Sequence, residues 1–305
     1  MKTKVSLFLL LFISLSMQAQ INMLDSTVQV ITYWNKGETQ TYKVTEDKFK
    51  IRDSDTSSKE QITYMVKVTV LDSTPSSYTI QWHYLDFKTS ENDEFSKKFA
   101  NMQKDLKVIF KINDVGTFME VVNWREIKSF NHKVIAKFKT ELKDVPNLNK
   151  VLNQVESTFA SKEAIENAVI KDVQQFHIFH GGVYKLNDKI TDQIKLPNIL
   201  GGEPFDADIS AELDEINEED DDYVLTSSTI VNSKQLTAAT IDYMKKMAEK
   251  LKVDPPDLSG IKDLKNEVIT DSRIHSSGWV IESKQYTDVS SGEYNNVVIR
   301  TIELQ

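Results

Sequence analysis

Ile62-Thr63-Tyr64-Met65-Val66-Lys67-Val68-Thr69-Val70-Leu71, then a turn over Asp72-Ser73-Thr74-Pro75-Ser76, then Tyr78-Thr79-Ile80-Gln81-Trp82-His83-Tyr84-Leu85: this stretch decides how the chain folds. In the first run Ile62, Tyr64, Val66, Val68 and Val70 alternate with a more polar set, and in the second Tyr78, Ile80, Trp82 and Tyr84 do the same. Side chains two apart lie on one face of a strand. Two such runs joined by a Pro/Ser turn predict a long antiparallel hairpin with one apolar face, which needs a covering layer.

Working outward, Val28 to Trp34 runs into the turn signal Asn35-Lys36-Gly37, and Thr41 to Val44 returns as its hairpin partner. On the other side the period lengthens. Phe95, Phe99, Met102 and Leu106 predict a helix, with Ser90 as cap and Asp93 as first-turn acid. Val108 to Ile112 and Thr117 to Val122 flank Asn113-Asp114-Val115-Gly116, a second hairpin. A central block of three helices follows. Ile127, Phe130, Val134, Phe138 and Leu142 mark the first, beginning at Trp124. After Pro146, Leu148, Val151, Leu152, Val155 and Phe159 mark the second. Ile165, Ala168, Val169, Val173 and Phe176 mark the third, capped by Ser161 and ended by Gly181-Gly182.

Phe205, Ala207, Ile209, Ala211 and Leu213 then alternate with polar residues, and Tyr223 to Val231 is the expected partner strand across the acidic stretch Asp214 to Asp222. A helix from Lys234 to Leu251 turns Leu236, Ile241, Met244, Ala248 and Leu251 inward and stops at Pro255-Pro256. Strands near Val268 to Ile274, Trp279 to Tyr286 and Tyr294 to Leu304 close the chain. Strands come in hairpin-connected runs and helices in segregated blocks. The expected class is therefore α+β: curved antiparallel sheet on a central block of about three helices, with two further helices. No Pro/Ser/Gly-rich linker marks a border. Residues 20–305 read as one large domain, or as two β-rich halves, 20–122 and 183–305, around the helical block 124–177.

The 305 residues are 40% hydrophobic and 27% charged, the proportions of a globular protein. A chain of this length can bury roughly 75% of the surface it exposes unfolded. With no cysteine there are no disulfides, thiolate metal sites, iron–sulfur clusters, cysteine nucleophiles or lipidated cysteine. A net charge of −9 argues against a general nucleic-acid or anionic-membrane surface.

Lys2 and Lys4, the apolar run Val5 to Leu15 and the exit Ser16-Met17-Gln18-Ala19-Gln20 together describe a secretory signal peptide, residues 1–19, cleaved after Ala19. The run is about half of the roughly 20 residues that a bilayer crossing needs, and no later segment approaches that length. The expected destination is the periplasm or the outside of the cell. Removing the signal takes away two lysines and no acid, so the exported chain is more acidic still.

Chemistry-bearing motifs are few. His177 and His180 share one face of the third helix's last turn, and two imidazoles so spaced can ligate a metal, although no Glu stands beside the first and no third ligand is evident. Histidine near a helix C-terminus is also favoured by the helix dipole, the blander account. Asp214 to Asp222 holds seven carboxylates in nine residues but lacks the glycine and spaced acid of a calcium loop. Ser259-Gly260-Ile261-Lys262 has the S-x-x-K spacing of penicillin-binding enzymes without their other motifs. No nucleophile elbow, dinucleotide fingerprint or phosphate loop occurs.

The signal segment Lys2 to Gln20, the Asn113-Asp114-Val115-Gly116 hairpin with Val122-Asn123-Trp124 behind it, and the strands from Trp279 resemble those of uncharacterised secreted proteins of Gram-negative bacteria. In layout the chain also looks like the LolA-like envelope lipid carriers, whose curved antiparallel sheets it exceeds in length. That likeness implies no binding residues here. The expectation is an exported, non-enzymatic binding or structural protein of the envelope, without a cofactor, holding an apolar small molecule or a partner protein. The alternative is an envelope-polymer hydrolase that uses carboxylates or Ser259.

Overall fold

The long hairpin forms within a larger meander. A computed structural model describes residues 21–52, 55–91, 96–98, 103–141, 152–153, 156, 159–254, 258, 261, 263–292 and 294–305. In it β1 (Ile21–Asn22) and β2 (Thr27–Gln29) precede β3 (Thr39–Arg52), β4 (Asp55–Thr74) and β5 (Ser77–Thr89). The β4–β5 register sets Val66 opposite Tyr84, Val68 opposite Trp82 and Val70 opposite Ile80. All six are buried, as their alternation requires. The second hairpin is also formed, by β6 (Lys107–Asn113) and β7 (Phe118–Val121), with Gly116 supplying the positive φ of its turn.

The first expected hairpin is not formed. Asn35-Lys36-Gly37 is a turn, closed by Glu38 N–H donating to the Asn35 carbonyl. Before it, however, β2 pairs with β1 and β8 (Val183–Lys185) in a small separate sheet. Residues on either side of the turn therefore serve different sheets, and β3 takes β4 and β14 as neighbours instead.

The C-terminal half repeats the meander. β9 (Lys189–Leu196), β10 (Phe205–Asn217), β11 (Asp222–Val231), β12 (Lys265–His275), β13 (Val280–Ser291) and β14 (Tyr294–Leu304) pair antiparallel in sequence order. β14 then pairs with β3, so the two runs merge into one eleven-stranded sheet ordered β7-β6-β5-β4-β3-β14-β13-β12-β11-β10-β9. The fold is α+β with an open, curved antiparallel sheet, as the segregated pattern predicts.

Helices α1 (Trp124–Glu141), α2 (Lys162–Val169) and α3 (Lys171–Phe176) lie between the halves, and α4 (Ser233–Leu251) connects β11 to β12. The apolar positions of α1 bury Ile127, Ile135 and Phe138. Ser161 caps α2 by accepting the Ala164 N–H, as read from sequence. The expected third helix is broken in two at Ile170, whose φ and ψ of −99° and 6° leave the helical region. The break turns nearly the whole of α3 into the core: Asp172, Val173, Gln175 and Phe176 are all buried. Phe176 meets Trp82 and Tyr42 edge-on at 5.5 and 5.3 Å, joining helix to sheet. α4 lies more loosely, with Leu236, Ile241 and Met244 half-buried and Ala248 buried. The apolar positions expected for the 95–102 helix, and most of those expected for 148–159, lie outside the described residues.

Candidate functional site

Sheet register brings four polar side chains to one place on the covered face. Arg300 of β14 stands directly opposite Glu46 of β3. Glu46 shares its face with Val44 and Tyr42, and Val44 is opposite Tyr64 of β4. Tyr64 lies diagonal to Tyr84, since Val66 is Tyr84's direct partner. Above them α3 begins. Its second residue, Asp172, is buried against the sheet, one turn before Phe176 on the same side of this short helix.

Asp172 Oδ2 accepts the Tyr64 hydroxyl at 2.7 Å and the Tyr84 hydroxyl at 3.2 Å. Asp172 Oδ1 lies 3.5 Å from Arg300 Nε. Arg300 Nη2 and Nε donate to Glu46 Oε2 at 2.6 and 3.1 Å, and Lys48 Nζ reaches Glu46 Oε1 at 3.1 Å. Asp172 is buried, and Arg300 and Glu46 are mostly covered: side-chain exposure is 6% for Asp172, 12% for Arg300 and 16% for Glu46. Gln175, one turn along α3, donates from Nε2 to the Ser283 and Arg300 carbonyls at 3.1 and 3.2 Å and so fixes the helix over β13 and β14.

Charge states follow from this packing. Burial disfavours the charged guanidinium of Arg300, but the Asp172 and Glu46 carboxylates outweigh it and raise its pKa above the ordinary value. Burial likewise pushes Glu46 up, and Arg300 and Lys48 more than reverse that, so its pKa ends lowered. Burial first, and the Asp172 charge second, hold the Tyr64 and Tyr84 hydroxyls well above the ordinary tyrosine range, so both stay protonated donors.

This cluster is one wall of a cavity of about 640 Å³ between the sheet and α1–α3. The remaining lining is largely apolar: Ile62 and Phe87 from the sheet, Phe130, Val134 and Phe138 from α1, and Leu152, Phe159 and Ala168 beyond it. A largely apolar concavity of 300–1,000 Å³ with a few convergent polar groups is the usual form of a small-molecule site.

The histidines are brought together, with ring centroids 4.7 Å apart, but not on a helical turn. α3 ends at Phe176; His177 is its C-cap and His180 lies in the turn beyond, a correction to the helical placement. The His180 Nε2 sits 2.9 Å from the Gly278 carbonyl, and the Trp34 ring, stacked on Trp279 at 4.0 Å, packs on both imidazoles. Gly116 crosses here at a φ of 92°, and a Cβ on it would fall 2.7 Å from the His180 ring. Among the described residues no group of three His, Cys, Asp or Glu side chains is placed to hold a metal ion. Ser259 and Lys262 lie outside the described residues. The acidic run ends the β10–β11 hairpin, with Asp222 buried 3.5 Å from Arg273 and Asp221 accepting the Ser276 hydroxyl.

Sequence reading missed Asp172, Glu46 and Arg300. The available signal was an ionisable residue on an apolar stripe, most visible at Asp172 between Val169 and Phe176. A scan against protein-family models and a search of curated proteins return no match for this chain.

Proposed function

We propose that this is an exported, non-enzymatic binding protein of the cell envelope that holds an apolar small molecule between its curved sheet and its central helical block. One observation carries the reading: the 640 Å³ space is walled mainly by aromatic and aliphatic side chains, with its ionisable groups gathered on one side. Helices α1, α2 and α3 supply the cover over this part of the sheet, and the resemblance in layout to LolA-like carriers, expected from the sequence, supports such a role. The exported location rests on the charge and hydropathy pattern of residues 1–19. Among the described residues no helix is long and apolar enough to cross a membrane.

The carboxylates Glu46 and Asp172 converge on Arg300, which gives the hydrolase alternative its one supporting observation. General-acid work needs a carboxyl raised towards neutral pH, and Arg300 and Lys48 lower Glu46. The cluster is therefore better suited to binding.

The test is native mass spectrometry and solvent extraction of the mature protein, together with titration of the fluorescent apolar probe N-phenyl-1-naphthylamine. We expect one probe per chain, and at least tenfold weaker binding in Ala168→Trp, which fills the cavity. A folded protein that yields no extracted apolar compound and takes up no probe overturns the reading.

A further inference from the structure

We propose that the ligand in this cavity is a long-chain carboxylate, a fatty acid, whose head group sits at the cavity rim against Lys171. The proposal rests on the cavity being the binding site and adds the chemistry of the ligand's polar end. The charged groups of the inner wall satisfy one another. Asp172 Oδ2 accepts both tyrosine hydroxyls and Oδ1 faces Arg300 Nε, while Glu46 takes Arg300 at Oε2 and Lys48 at Oε1. Two carboxylates there meet one guanidinium and one ammonium, so the cluster is balanced. A head group inserted into it would have to part covered charges from their partners, which is costly.

The rim differs. Among the described lining residues three are exposed: Gln103, Asn167 and Lys171. Asn167 and Lys171 stand four positions apart, on either side of the break at Ile170 between α2 and α3. None of the three side chains forms a hydrogen bond or ion pair among the described residues. The rim therefore carries one unpaired ammonium and two amides able to donate, and none of its exposed lining residues is acidic. An anion is the partner such a rim lacks. A carboxylate placed there keeps part of its hydration and gains Lys171, while its chain runs inward over Phe130, Val134 and Phe138 of α1. A ligand ammonium would meet Lys171 as a like charge, and an alcohol would leave it without a counter-ion.

The test is displacement of N-phenyl-1-naphthylamine from the wild-type protein by dodecanoate, 1-dodecanol and dodecylamine at pH 7.5, below their micellar concentrations. We expect dodecanoate to displace the probe at a concentration at least fivefold below that of dodecanol, with dodecylamine the weakest of the three. In Lys171→Gln the preference for dodecanoate over dodecanol should fall below twofold while dodecanol competes as before. Lys137→Gln, on α1 but outside the cavity lining, should keep the wild-type preference. A preference below fivefold in the wild type, one of twofold or more in Lys171→Gln, or an equal loss in Lys137→Gln overturns the carboxylate assignment and leaves the apolar site standing. Failure of all three compounds, with no uptake of the probe itself, overturns the site. Because the head-group series uses the wild type, it decides even where Lys171→Gln does not fold.

Discussion

Asp172 is an acid in a position that the helical stripe reserves for an apolar side chain, and its surroundings show what it costs to keep it there. Two tyrosine hydroxyls and a guanidinium compensate for its lost hydration. Removing one member of such a buried group leaves the others uncompensated. Asp172→Ala is expected to lower unfolding free energy by about 3 kcal/mol, and Tyr64→Phe, which deletes one donor, by about 1 kcal/mol. Urea denaturation at pH 7.5 measures both, and an Asp172→Ala protein as stable as wild type would show that the carboxylate is not desolvated as described. The histidine pair makes a second prediction at this scale. Burial lowers His177 well below the ordinary value of 6.5 and lowers His180 to about 4. Below pH 6.5 the unfolded chain therefore takes up protons that the folded imidazoles do not, so stability is complete above that pH and is lost as pH falls towards 4. His180 alone should cost about 2 kcal/mol between pH 7 and pH 5, read as a falling urea midpoint. His180→Asn should flatten that slope, and an unchanged slope would place the titration elsewhere. None of these partnerships could be read from the chain. Glu46 and Arg300 are 254 positions apart, and only the β3–β14 register makes them neighbours.

At the scale of elements, legibility follows burial. The β4–β5 hairpin was visible because one face is buried and the other is not, so burial alternates as composition does. β9, at the sheet edge, is exposed along almost its whole length, and no apolar alternation marks it. β2 was visible as a strand, but its partner was not, because a turn signal fixes reversal of the chain and not which sheet receives it. The break at Ile170 was hidden for another reason. No glycine or proline marks it, and the apolar spacing of Ile165, Val169, Val173 and Phe176 runs on as though the helix were continuous. A short helix at such a break depends on its cap. Ser161→Ala removes the acceptor of the Ala164 N–H and is expected to destabilise the protein by about 1 kcal/mol. Ser161→Asp should retain most of that stability, because a carboxylate also accepts at this position and suits the helix N-terminus. Equal melting temperatures for wild type and Ser161→Ala would mean that α2 does not need its first-turn bond.

Across the whole molecule, the strand that completes the sheet is the last one in the chain. β14 lies in the middle of the eleven strands, between β13 and β3, and carries Arg300 to the cavity wall. Neither half can finish the covered face without it: the N-terminal meander would present β3 as an open edge and the C-terminal one β13. Pairing of positions some 250 residues apart is also strongly non-local, the kind of contact that raises contact order and slows folding. Deleting residues 294–305 should therefore disable the entire sheet and not merely shorten it. The expected product keeps strand signal in far-ultraviolet circular dichroism but loses the near-ultraviolet signal of Trp34, Trp82 and Trp279. It should bind an apolar dye without saturating at one per chain, and aggregate. Supplying a peptide of residues 294–305 in trans should restore part of the near-ultraviolet signal, since an added strand meets the same two edges that β14 normally joins. A truncated chain that melts cooperatively and still binds one probe molecule would show that the two meanders fold independently and that the central pairing is dispensable.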